Sequence, residues 1–119
     1  MRTHKDLDVW KDGIDFVTKV YKITSAYPKE EMYGITSLIR RAAVSIPSNI
    51  AEGAARKSSN EFRQFLYIAL SSTSELNTQI IISSNLGFLD KDVADELNLE
   101  LDSISRRIQD LIKSLKISD

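Results

Sequence analysis

Residues 36–65 read TSLIRRAAVSIPSNIAEGAARKSSNEFRQF, and this stretch decides the fold. Up to Arg56 the apolar residues recur at helical spacing. Leu38, Ile39, Ala42, Ala43, Ile46, Ile50 and Gly53 fall on one face of a helical wheel. Val44, Pro47, Ala51 and Ala55 fall on a second face of small side chains. Arg41, Ser45, Ser48 and Glu52 make the only clearly polar stripe. Pro47 stands mid-helix, where a missing N–H and a ring clash cost about 3 kcal/mol unless the context compensates. A helix apolar around most of its circumference needs neighbours on more than one side. A four-helix monomer covers one face. The small face is therefore the expected contact between subunits.

Ser58-Ser-Asn-Glu61 ends the stretch with a capping box, in which Ser58 accepts from the Glu61 N–H and Glu61 reaches back to the Ser58 N–H. The helix that follows lines Phe62, Phe65, Leu66, Ala69, Thr73, Leu76 and Ile80 along one side and ends at Leu86-Gly87, a glycine suited to the left-handed C′ position. Asp90 is placed to cap a last helix, whose face is Val93, Leu97, Leu101, Ile104, Ile108, Leu111 and Leu115. Upstream, Trp10, Ile14, Val17, Val20, Tyr21 and Thr24 predict a first helix over Leu7–Ala26, capped by Asp6 or Thr3. Tyr27-Pro28 stops it, and a connector with one helical turn follows. The expected helices, of about 20–28 residues, span roughly 30–40 Å each. With short links they imply a single all-α domain over residues 1–119. It is an antiparallel up-down-up-down bundle with a proline-interrupted second helix.

Composition narrows the chemistry. The 119 residues carry a net charge of −1 and no cysteine, which excludes disulfides, thiolate zinc sites and cysteine nucleophiles. His4 is the sole histidine, so neither a di-iron bundle motif nor a zinc trio can be assembled. No glycine-rich phosphate loop appears. Asp90, Asp92, Asp95, Glu96, Glu100 and Asp102 read as a solvated acidic helix start, without calcium-loop order. No cofactor and no metal are expected, and the chain reads as non-enzymatic. The first residues carry no signal-peptide core and no run reaches membrane-span length, so a cytoplasmic location without membrane contact is expected.

Charge is uneven along the chain. Arg40, Arg41, Arg56, Lys57 and Arg63 face only Glu52 and Glu61 in their own segment, and these five bases are the candidate phosphate contacts. Arg41, Ser45, Asn49, Glu52 and Glu75 are the candidates for a polar network that sets register, with Glu75 pairing an arginine across the bundle or across subunits.

Arg40-Arg-Ala-Ala-Val-Ser-Ile-Pro-Ser-Asn-Ile-Ala-Glu-Gly53 strongly resembles the signature of the 23S rRNA intervening-sequence family, historically labelled S23 ribosomal proteins. Asp8-Val-Trp10, Phe65-Leu-Tyr-Ile-Ala-Leu70 and Ser74-Glu-Leu76 support the match, which covers nearly the whole chain. The resemblance implies a left-handed up-down bundle assembled as a homopentamer. It also implies kinship with the accessory variability determinant of diversity-generating retroelements, a basic pentamer that works with a reverse transcriptase and nucleic acid. No catalytic residues come with it. The expected function is a homo-oligomeric binding module engaging RNA or DNA, with or without a protein partner. The alternative is a protein-interaction scaffold that offers its acidic fourth helix to a basic partner and binds no nucleic acid.

Overall fold

The computed structural model describes residue 4 and residues 7–115. Four helices account for most of them: α1 (Asp8–Thr24), α2 (Ile35–Ala54), α3 (Ser59–Asn85) and α4 (Lys91–Ser114). A 3-10 turn over Lys29–Glu31 fills the connector between α1 and α2. There is no strand among the described residues. Each helix packs on its two neighbours, and α4 returns to α1 to close a square. The result is a rod of 49 × 23 × 22 Å.

Cross-helix contacts set the directions. Asp12 and Lys19 of α1 meet Arg107 and Glu100 of α4, in reversed order. Gly13 meets Pro47, while Tyr21 and Thr24 meet Arg40. Gly53 meets Phe62 and Phe65, while Ser45 meets Ser72. Each of these pairs runs antiparallel.

The core is aliphatic, with one aromatic ring at its centre. Phe16, Ile39, Ile46, Ile50, Leu66, Leu76, Ile80, Leu101 and Ile108 are sealed from solvent. The α4 stripe is centred as its sequence predicts, on Leu97, Leu101, Ile104 and Ile108, with Ala94 and Ile112 buried at its ends.

The α1 face is rotated from the expected one. Val9, Gly13, Phe16, Val20 and Thr24 are buried, whereas Ile14 and Tyr21 are exposed and Trp10 and Val17 half-buried. Two apolar stripes lie side by side on this helix, and Gly13 selects the inner one because α2 approaches closely there. Leu38, expected in the α2 core, is exposed as well.

Pro47 does not interrupt α2. The helix runs unbroken from Ile35 to Ala54 with the proline inside it, buried. Asn49 reinforces the turn around it by donating its Nδ2 to the Ser45 carbonyl at 2.8 Å.

Caps are mixed. The Glu61 N–H donates to Ser58 Oγ at 3.1 Å, but the Glu61 carboxylate accepts from the Ser58 hydroxyl rather than from its N–H. Gly87 takes φ 81°, with Phe88 N–H donating to Ser83 O and Gly87 N–H to Ser84 O, a Schellman ending. Asp90 occupies the N-cap of α4 without a side-chain bond to it, and the N-cap of α1 is Leu7. The expected caps Asp6 and Thr3 lie outside the described residues.

Candidate functional site

The five candidate bases do not form one patch. Arg40 and Arg41 stand in the first half of α2, and Arg56, Lys57 and Arg63 cluster near its far end. Arg41 and the end of α2 at Ala54, two residues before Arg56, are thirteen helical steps apart, roughly 20 Å at 1.5 Å per residue.

Three of the five are engaged inside the chain. Arg40 Nε donates to Thr24 Oγ1 at 2.9 Å, and its guanidinium lies 4.5 Å from the centre of the Tyr21 ring. Arg56 donates to Glu52 at 2.8 Å and covers the Phe65 ring at 4.7 Å. Arg63 donates to the Ile112 carbonyl at 2.6 Å, which caps the last turn of α4 from α3. Arg41 and Lys57 are exposed and make no ion pair or hydrogen bond among the described residues. Only these two remain uncommitted toward an external anion.

The polar network forms in part. Ser45 and Ser72 share a hydroxyl–hydroxyl bond of 2.8 Å across α2 and α3, and Asn49 Nδ2 joins it at 2.9 Å from Ser45 Oγ. Glu52 leaves the network for Arg56. Arg41 and Glu75 line one groove above the two serines, yet no ion pair forms between them. Glu75 instead accepts from Gln79, one turn along its own helix, at 3.3 Å. The exposed, solvated position of both groups removes the drive to pair them directly.

The small face of α2 divides. Pro47 belongs to the interior of the bundle, where it packs against Gly13. Val44 is 38% exposed, Ala51 half-buried and Ala55 exposed. They adjoin the second stripe of α1. Gly13 opposite Pro47 and Tyr21 opposite Arg40 set a register that brings Val17 level with Val44 and Trp10 level with Ala51. On α1, Trp10, Ile14, Val17 and Tyr21 flank the core on the side away from Asp12 and Lys19, which face α4. The seam between α1 and α2 is thus an apolar outer surface built from two stripes. The α2 half was legible in the sequence. The α1 half was read as core, and the helix-interior Gly13 was the available signal that another stripe packs inward.

Among the described residues no group of histidine and carboxylate side chains is arranged to hold a metal ion. Among the same residues no helix is long and apolar enough to cross a membrane.

No curated protein matches the chain. Among solved structures it is similar to a protein of unknown function from the S23 ribosomal protein family of Bacteroides thetaiotaomicron. The two share 20% identity over 89% of this chain and 99% of the other, with a TM-score of 0.80. At that identity the likeness speaks for the fold. The family model of the 23S rRNA-intervening sequence protein matches residues 5–110, which span all four helices but for the last turn of α4. The chain belongs to the 23S rRNA-intervening sequence protein family.

Proposed function

We propose that this protein is a non-enzymatic, homo-oligomeric binding module that engages RNA or DNA. The observation that carries the reading is the apolar α1–α2 seam. Ile14, Tyr21 and Val44 are each about two-fifths exposed, with Trp10, Val17 and Ala51 half-buried beside them. Such a surface on a small protein marks an interaction site. Covering a Val- or Ile-sized side chain fully is worth roughly 1.5–3 kcal/mol. A second copy of the chain is the occupant that the family resemblance favours, and a ring of five is the form it implies.

Assembly also answers the weakness of the basic sites. One chain offers Arg41 and Lys57 and carries a net charge of −1. A ring presents both residues once per subunit, and linked weak contacts gain effective concentration without any new contact. The family's link to ribosomal RNA genes makes structured RNA the first ligand to try. The localisation that fits is the cytoplasm.

Light scattering at micromolar concentration tests the assembly, and gel mobility with a structured ribosomal RNA fragment tests the binding. The parent should run as an oligomer, and Ala51→Arg or Val44→Glu should give a folded monomer that shifts RNA more weakly. A monomeric parent sinks the assembly. An oligomer that leaves RNA unshifted at low salt sinks the nucleic-acid reading alone.

A further inference from the structure

A surface helix in water carries charge on its outer side, and α4 does so at every turn, from Lys91 and Asp92 to Asp110 and Lys113. α3 does not. Of its exposed positions from Gln64 to Asn85, Glu75 alone is charged. Tyr67 and Ile68 stand at one end of this outer face and Ile81 and Ile82 at the other, each between 41% and 50% exposed. Ser71, Ser74 and Thr78 lie between them and keep the middle of the face low. The Thr78 hydroxyl already donates to the Ser74 carbonyl at 3.0 Å, so covering it leaves no donor unmet. Absence of charge together with exposed aromatic and branched side chains is the composition of an interface core.

The rest of the molecule selects the occupant. α3 packs between α2 and α4, diagonally across the bundle from α1, so one copy offers this face and the α1–α2 seam at the same time. The seam is bordered by bases. Lys11, Thr18 and Lys22 recur at helical spacing along α1 in the row beside Ile14 and Tyr21, and both lysines are exposed with no polar partner among the described residues. Seam against seam would bring these lysines together. α3 against α3, two-fold about the middle of the face, would set Glu75 opposite Glu75. Seam against α3 joins acid to base and apolar to apolar. Two unlike surfaces of one chain meeting in this way make a head-to-tail contact, which closes into a ring or runs on as a filament.

We propose that the α1–α2 seam of one copy docks on the outer face of α3 of the next, with Glu75 turned toward Lys11 and Lys22. The contact rests on the self-association proposed above and adds the surface on which the seam lands. It is independent of nucleic-acid binding.

The test is complementation between two variants of the full chain, read by light scattering. Val44→Glu blocks the seam, and Ile68→Lys with Ile81→Lys blocks α3; all three positions are exposed, and circular dichroism checks that helical content is kept. Each variant alone should run as a monomer. Mixed in equal amounts they retain one intact seam and one intact α3 face between them, so they should form a dimer and grow no further. The mixture is run at about 100 µM, because an open pair lacks the effective concentration that a closed ring supplies. Glu75→Gln, the conservative variant, should weaken assembly of the parent about threefold. A monomeric parent overturns the self-association and this contact together. An oligomeric parent with either variant still assembling alone, or with two monomeric variants that do not pair, overturns this contact and leaves the self-association standing. So does equal or tighter assembly of Glu75→Gln, the tighter result being the one expected if α3 met α3.

Discussion

Gly13 of α1 faces Pro47 of α2 so closely that a methyl group on the glycine would lie 3.4 Å from the proline Cβ. The contact gives the buried proline its packing partner on α1. A proline ring without a neighbouring N–H presents a smooth apolar knob, and a residue without a side chain accepts it.

That distance is van der Waals contact rather than overlap. Gly13→Ala should therefore stabilise the protein, by about 0.5–1 kcal/mol from helix propensity. Chemical denaturation of the two proteins measures it. Gly13→Leu should destabilise by about 1–3 kcal/mol, because the longer side chain has to displace Pro47.

Gly53 makes the opposite prediction. A Cβ there would lie 2.7 Å from Phe65 Cβ and 3.2 Å from the Phe62 carbonyl, both close to α3 backbone that cannot swing away. Gly53→Ala should cost about 1–3 kcal/mol net, the overlap outweighing the propensity gain of about 1 kcal/mol. A thermal melt with a raised midpoint would contradict it.

Arg63 and Lys57 should separate stability from binding. Removing the Arg63 bond to Ile112 O by Arg63→Met should cost about 1 kcal/mol and speed amide exchange in the last turn of α4. Lys57→Met removes no polar contact among the described residues and should leave stability within about 0.5 kcal/mol. In the mobility assay the order should reverse, with Lys57→Met weakening RNA binding more than Arg63→Met.

Tyr27 supplies a pH dependence. Burial pushes its phenol above the ordinary value of 10, and the Ser83 hydroxyl pulls slightly the other way. The folded state therefore holds this proton longer than the unfolded chain does. The stabilisation is complete below about pH 10 and declines as the pH rises from there through the folded value. Melts between pH 8 and 11 should show the parent losing more stability than Tyr27→Phe. Parallel losses would show that Tyr27 is not the group responsible.

Much of the fold was open to reading along the chain, for identifiable reasons. Gly87, the Ser58 cap and the Leu97–Ile108 stripe are local signals, so the starts, stops and face of α3 and α4 followed from them. The core face of α2 also followed, apart from the exposed Leu38 and the buried Pro47, but the face of α1 did not, because that helix has two apolar stripes and the choice between them depends on where the neighbouring helix lies. Pro47 shows the same limit. Its cost is local, but its compensation comes from Gly13, thirty-four positions away. The candidate site was less legible still. Basic residues near a helix end look alike in sequence, and only the fold shows that Arg63 reaches an α4 carbonyl while Lys57 has no polar partner among the described residues.

The apolar seam holds the chain's single tryptophan. Trp10 is half-buried there, edge-on to His4 at 4.9 Å between ring centres. Its indole emission therefore answers to whatever covers this flank, without a label. Dilution that frees the seam should move the emission to longer wavelength and make it more accessible to a soluble quencher such as iodide. The curve of colour against concentration would then be an optical record of subunit release, drawn by the residue that the sequence had placed in the core.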